Sequence, residues 1–223
     1  MNLDWQPLAL TFQLAGITTA VLLLIGIPLG YLLASWENRW KYVLQTLVSM
    51  PLVLPPTVLG FYLLLAFSPT GAFGQFLENT FDLRLVFSFE GLVIASIIYS
   101  LPFMVNPIQA GFQSLPASLA EASVSLGKSR LETFWKVLLP NIKPSLLIGT
   151  VLSFAHTVGE FGVILMIGGS IPGETRVAAI AIYDEVEALN YATAHTYAAI
   201  LLGITFAILL TVYLVNRKLL KAF

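Results

Sequence analysis

Of the chain's 223 residues, 57% are hydrophobic and only 10% charged, against about 25% charged in soluble domains, so a soluble globule is excluded. With 11 Lys and Arg against 12 Asp and Glu the net charge is -1, which offers neither a basic surface for nucleic acid nor an acidic disordered tail. The absence of cysteine removes disulfide frameworks, thiolate metal sites, iron-sulfur clusters and cysteine nucleophiles together.

Residues 1–10 carry Asp4 and no Lys or Arg, and the apolar run behind them is too long for a cleavable signal, so they are expected to belong to the mature chain. A bilayer core about 30 Å thick takes roughly 20 apolar helical residues. On that measure spans are predicted near 11–35, 42–67, 90–112, 144–167 and 191–215. The expected fold is an all-α polytopic membrane protein of about five transmembrane helices, a single domain over 1–223.

In the first span Gly26 and Gly30 stand four apart, as do Ala199, Gly203 and Ala207 in the fifth. This is either a close-packing face or the ordinary abundance of small residues in membrane helices. The second span holds Pro51, Pro55 and Pro56, each lacking an N–H and biasing its predecessor away from helix. Backbone freed of helical partners at membrane depth must be buried in protein or line a wet cavity. The stretch Pro51 to Gly60, with Thr57, is thus a candidate pathway or gate, with a packed kink as the alternative. In the third span Asn106 precedes Pro107 and is expected to be a satisfied helix-break residue.

The segment 113–143 is the longest connection on its side and reads as two short helices. Ser118 with Glu121, and Ser129 with Glu132, fit the S-x-x-E capping box. Gly127 between them suits a left-handed helix end, and Pro140 and Pro144 limit continuation into the fourth span. That span carries His156 and Glu160 four apart on one face, and Gly159, Glu160 and Gly162 follow at the estimated depth of Pro55. An unpaired charge is costly at that depth, so Glu160 is expected to pair with His156 or with freed N–H groups rather than to ligate a substrate directly. Residues 177–183 are too short to span and are expected to form a helix outside the bilayer or dipping into it.

Five spans place the termini on opposite sides. Nine of the 11 basic residues then share the face of the 113–143 loop, leaving Arg84 and Arg176 on the other. By the positive-inside rule the amino terminus is expected outside and the carboxyl terminus in the cytoplasm. Outside, the guanidinium of Arg176 suits an oxyanion or an acidic patch on a partner, or is simply solvated. Asp184, Glu185 and Glu187 are solvated or meet basic residues of a partner.

Enzyme motifs fail. Gly127-Lys128-Ser129 looks like the end of a phosphate-binding loop, but Ala122 stands where that pattern needs glycine and no strand precedes it. Neither His156 nor His195 lies in a two-histidine metal pattern. No catalytic residue, bound cofactor or metal is expected.

The loop instead resembles the EAA motif of ABC importer membrane subunits. Glu121-Ala122-Ser123, then Gly127, then Val137-Leu138-Leu139-Pro140 keep its spacing over twenty residues, with Ser123 for Ala and Val137 for Ile as departures. The resemblance implies that Glu121, Ala122, Ser123, Gly127, Leu139 and Pro140 form coupling helices seated in an ATP-binding subunit. With Pro51-Leu52-Val53-Leu54-Pro55-Pro56, Gly159-Glu160-Phe161-Gly162 and Pro172-Gly173-Glu174-Thr175-Arg176, the chain resembles the molybdate permease (ModB) family, related to sulfate and thiosulfate permease subunits. What this implies is a permease of the bacterial inner membrane acting as a homodimer, with ATP used by two cytoplasmic ATP-binding subunits and molybdate delivered by an extracytoplasmic binding protein. A sulfate or tungstate importer is the alternative within the class. An ion-driven secondary transporter is the alternative outside it, disfavoured because only Glu160 lies well inside a span and inverted repeats are not evident.

Overall fold

The computed structural model describes residues 3–220, with side chains through Leu214; the side chains of Arg217, Lys218 and Lys221, which weigh in the charge count, lie outside the described residues. Helix α1 (Gln6–Ser35) opens with Pro7 in its first turn, where a missing N–H costs nothing. The predicted second span is not one helix. α2 (Trp40–Ser49), a 3-10 turn over Met50–Leu52 and α3 (Pro56–Phe67) replace it, and the halves meet at 110°. The prolines are the cause: Pro55, with ψ 135°, is extended because Pro56 follows it, and α3 begins only after that residue. α4 (Ala72–Phe81) lies between this span and α5 (Phe89–Ser114), whose first turn is capped by Ser88 Oγ accepting from Gly91 N–H at 3.2 Å. α5 passes unbroken through Pro102 and Pro107, so Asn106 does not mark a break.

The loop after α5 contains α6 (Ala117–Ser125), α7 (Arg130–Thr133), a π turn over Phe134–Leu138 and α8 (Leu139–Asn141). At Ile142 the chain bends by 72° into α9 (Lys143–Val158). The predicted fourth span also breaks, at residues 159–161, and resumes as the short α10 (Gly162–Gly168). α11 (Ala178–Glu187) occupies the expected short-helix region, and α12 (Tyr191–Leu220) closes the fold. Among the described residues three helices are long and apolar enough to cross a membrane alone, and up to five spans result if each bent pair counts as one.

The centre of the fold is α5, flanked by α1 and α9. Small residues set its distance from α1: a β-carbon on Gly26 would stand 2.6 Å from Met104 Cγ, and one on Gly30 2.7 Å from Ile108 Cγ2. Gly203 has no such neighbour, so the small-residue row of the fifth span packs nothing within the described chain. One apolar cluster joins Leu59 of α3, Leu85, Leu92 and Ala95 to Val163, Ile164 and Ile167 of α10. A second, with Met104, Ile108, Phe112, Leu138 and Ile142, roots the 115–142 loop on α1 and α5.

Candidate functional site

The two broken spans meet. A β-carbon on Gly60 would lie 2.7 Å from Met166 Cβ, and one on Gly162 2.7 Å from Pro56 Cβ, so α3 and α10 touch through these glycines. The estimated coincidence in depth therefore holds within a single chain. These glycines serve a close approach within the chain, their open faces filled by Met166 and by Pro56.

Between the breaks lies a cleft of about 550 Å³ lined by Pro56, Thr57, Tyr99, His156, Glu160 and Gly162 among others. Pro51 is buried within the 3-10 turn, whereas Pro55, Pro56 and Thr57 are exposed. Gly159 ends α9, its N–H donating to Ala155 O. Glu160 is only 4% exposed, and neither carboxyl oxygen has a hydrogen-bond partner among the described residues. The Ser96 hydroxyl lies beside it without completing a bond and is itself unpartnered.

The expected pairing of Glu160 with His156 is thus not formed. His156 is held elsewhere: Nδ1 is 2.9 Å from Ser100 Oγ, and the ring stacks at 4.0 Å on Phe103 and lies 4.8 Å from Tyr99. Thr157 Oγ1 donates to Ser153 O at 2.9 Å and stands 3.1 Å from Ser100 Oγ. With the Thr157 proton committed, Ser100 donates to Thr157, and His156 Nδ1–H donates to Ser100. His156 clamps α5 to α9, while the carboxyl one helical turn further on is left without a partner. Nearly every buried polar group is satisfied in native structures, so exceptions at a break in a membrane helix mark functional places.

The 115–142 loop presents the opposite character. Gly127, at φ 81°, takes the expected left-handed conformation, and nothing crowds it. Ser129 Oγ accepts from Glu132 N–H at 3.2 Å while the Glu132 carboxylate accepts from Ser129 N–H, the predicted capping box. Lys136 Nζ donates to Glu132 at 2.9 Å, and this bond holds the Glu132 carboxyl below the usual carboxylate range. The other predicted box is absent: α6 begins at Ala117 after Pro116, so Ser118 lies inside the helix and has no capping position to fill.

Ser123 is buried, with Oγ 2.9 Å from Thr133 Oγ1. The departure from alanine at this position thus supplies a hydrogen bond between α6 and α7, a role the motif comparison could not reveal. Glu121 and Ala122 are exposed on α6, and Leu139 and Pro140 are half-buried in α8. Pro140 does not end its helix. The π turn ahead of it, in which Leu139 N–H reaches back to Phe134 O, widens the backbone where the proline ring would otherwise meet the Lys136 carbonyl.

On the opposite face the structure holds Arg176 in place. Its Nε donates to Asp184 at 2.9 Å and its Nη2 to Glu185 at 3.5 Å, while Ser170 Oγ and Asn190 Nδ2 bond the same two carboxylates. Two members of the acidic trio therefore share one guanidinium of their own chain, and the cluster keeps a net negative charge. Only Glu187 stays outside this cluster.

Comparison with known proteins decides the class. The model of the family described as "Binding-protein-dependent transport system inner membrane component" matches residues 26–221. The chain belongs to this family. It is 44% identical over 214 residues to the molybdenum transport system permease protein ModB of Azotobacter vinelandii, covering 96% of this chain and 95% of that one. It is 33% identical to ModB of Escherichia coli K12 (82% and 80% covered). Against the sulfate transport system permease protein CysT of Salmonella typhimurium identity is 32%, with 84% and 67% covered. Among solved structures, the fold matches a chain of a bacterial alginate ABC transporter in complex with alginate pentasaccharide-bound periplasmic protein at TM-score 0.77, with 18% identity, covering 96% of this chain and 78% of that one. A chain of the MetNI methionine ABC transporter matches at TM-score 0.74, with 16% identity and 95% and 94% covered. The family member is a membrane-spanning transport subunit, and the secondary-transporter alternative falls away.

Proposed function

We propose that the chain is the permease subunit of an ATP-driven molybdate importer, working as a homodimer with two cytoplasmic ATP-binding subunits and an extracytoplasmic binding protein. The observation that carries this reading is 44% identity to a molybdenum permease across nearly both full chains, above the 30% to 35% shared with sulfate permeases. The amino terminus faces outside and the carboxyl terminus the cytoplasm, because this orientation puts nine of the 11 basic residues inside.

In this reading α6 to α8 sit in the ATP-binding subunit, with Glu121, Ala122, Ser123, Gly127, Leu139 and Pro140 giving the elbow its shape. The elbow continues through the bend at Ile142 into α9, and α9 ends at Gly159 beside the cleft. A tilt imposed on the elbow by ATP binding moves the far end of α9, where Glu160 and Gly162 meet Pro56 and Thr57. The gate comprises Pro51, Pro55, Pro56, Thr57, Gly60, Gly159, Glu160 and Gly162, and the oxyanion passes it at the dimer axis. ATP is consumed by the partner subunit, and this chain contributes mechanical linkage and a path.

The deciding experiment measures uptake of labelled molybdate and labelled sulfate in a strain lacking this chain and other molybdenum uptake. Loss of molybdate uptake with sulfate uptake intact supports the reading; the reverse pattern assigns the chain to sulfate. For orientation, single cysteines placed at 128 and 176 have no native thiol to compete with. An impermeant reagent applied to intact cells labels 176 and spares 128 if the amino terminus is outside.

A further inference from the structure

In the proposed orientation the outer face carries eight acidic residues (Asp4, Glu78, Asp82, Glu90, Glu174, Asp184, Glu185, Glu187) against Arg84 and Arg176. Such a surface repels a free dianion and attracts a basic protein. Arg176 is already paired, whereas exposed Arg84 forms no ion pair among the described residues. Arg84 and Glu174 line the same cleft of about 450 Å³, together with Val86, Phe87, Ser88 and Ile171. It offers one charge of each sign beside an apolar strip.

Phe87 is the unusual member. Its φ of 60° lies in the left-handed region, which a bulky residue rarely adopts, and its side chain is nevertheless 46% exposed. The surrounding fold enforces this conformation. Phe87 N–H donates to Ile167 O at 2.9 Å, near the end of α10. Leu85 and Val86 are buried in the same apolar cluster as Val163, Ile164 and Ile167. The ring lies over Gly169, whose own φ is 62°. Exposed Phe87 is thus fixed to the helix whose other end, Gly162, rests on Pro56.

We propose that the Arg84 to Phe87 turn, with Ile171 and Glu174 opposite, grips the extracytoplasmic carrier and passes its docking to α10 and the gate. The partner is a soluble protein with a mainly basic rim that matches the acidic face. It presents an acidic side chain to Arg84, a basic one to Glu174 and an apolar socket to Phe87. Docking pulls or pushes on the Phe87 to Ile167 hydrogen bond, and α10 carries the displacement to Gly162 and Glu160. This rests on the orientation and on the carrier-dependent reading given above.

The test uses the assembled complex with its ATP-binding subunits in lipid nanodiscs, titrated with the anion-loaded carrier, reading ATP hydrolysis. Arg84→Glu is expected to raise the half-saturating carrier concentration at least tenfold, with the shift shrinking as salt rises. Phe87→Gly suits the backbone while removing the ring; it is expected to cut maximal stimulation at saturating carrier at least fivefold, with the thermal midpoint retained, and Phe87→Leu to restore most of it. Stimulation and half-saturation within twofold of wild type in both variants would overturn the proposal. So would a Phe87→Gly loss that merely follows a lowered midpoint. A wrong anion assignment appears separately, as carrier stimulation without molybdate uptake, and a wrong orientation as labelling of a cysteine at 128 but not at 174 in intact cells.

Discussion

α5 and the second apolar stretch both contain proline, with opposite results. α5 holds Pro102 and Pro107 and remains a single 26-residue helix, whereas residues 50–56, with Pro51, Pro55 and Pro56, divide α2 from α3 at 110°. α5 is surrounded by α1, α9 and α10, and half of its membrane-depth window is buried. Neighbouring helices thus hold it straight around a missing donor. The 50–56 segment packs through Pro51, but Val53 is 85% exposed and the two adjacent prolines are exposed as well, so little packing opposes the local preference for extended backbone at Pro55. Proline content alone does not decide whether a membrane helix breaks; proline spacing and lateral support do.

The sharpest way to break this comparison is to force the broken segments apart. Gly162→Leu or Gly60→Leu puts a branched side chain where a β-carbon already falls within 2.7 Å of Pro56 or Met166, and uptake is expected to fall more than tenfold while the assembled complex can still be purified. Unchanged uptake would mean that the α3 to α10 contact is not part of the gate. Next in size is a paired test on the prolines. Pro56→Ala restores an N–H at the start of α3 and is expected to lower uptake severalfold. Pro107→Ala in the supported helix should leave it within about twofold, since neighbouring helices already compensate there. Equal effects would remove the distinction drawn here.

Away from the breaks the effects become structural. Gly30→Leu overpacks the α1 to α5 contact and should cost about 1–3 kcal/mol, read as a lowered thermal midpoint. Ser123→Ala removes the bond to Thr133 and should cost about 1 kcal/mol, visible as weaker coupling of uptake to ATP hydrolysis. The smallest effect belongs to Glu132. Its carboxyl sits below the ordinary value of 4.5, so its stabilisation is present above that value and is lost as pH falls through the folded one. Glu132→Gln should leave uptake at neutral pH nearly unchanged and flatten the acid side of a pH-stability profile.

Much of this was legible beforehand because its causes are local. The Ser129 to Glu132 box, the left-handed Gly127 and the break at Pro55-Pro56 each depend on a few neighbouring residues, and each appears where the sequence places it. The Ser118 to Glu121 box failed because Pro116 starts α6 earlier, a competition between two adjacent helix-start signals that spacing alone does not rank. The division of the fourth span at residues 159–161 was missed because the stretches on either side of Glu160 are apolar enough to continue, and glycine permits a break without requiring one. Tertiary partners decided the fates of His156 and Arg176. Ser100 claims the histidine, and Asp184 and Glu185 of α11 claim the arginine, pairings that exist only once the helices have packed.

The π turn over Phe134–Leu138 fixes an angle as well as relieving a clash. Each α-helical residue advances the side chains by about 100°, so a wide turn of a different period shifts the phase between the face before it and the face after it. Leu131 and Trp135, exposed on the 115–142 loop, are therefore aimed relative to the buried face of α9 by the number of residues in this short segment. Insertion or deletion of one residue there would keep every side chain from Glu121 to Gly127 and still point the arm in another direction, as a clock hand moved on its spindle keeps its shape and tells the wrong hour.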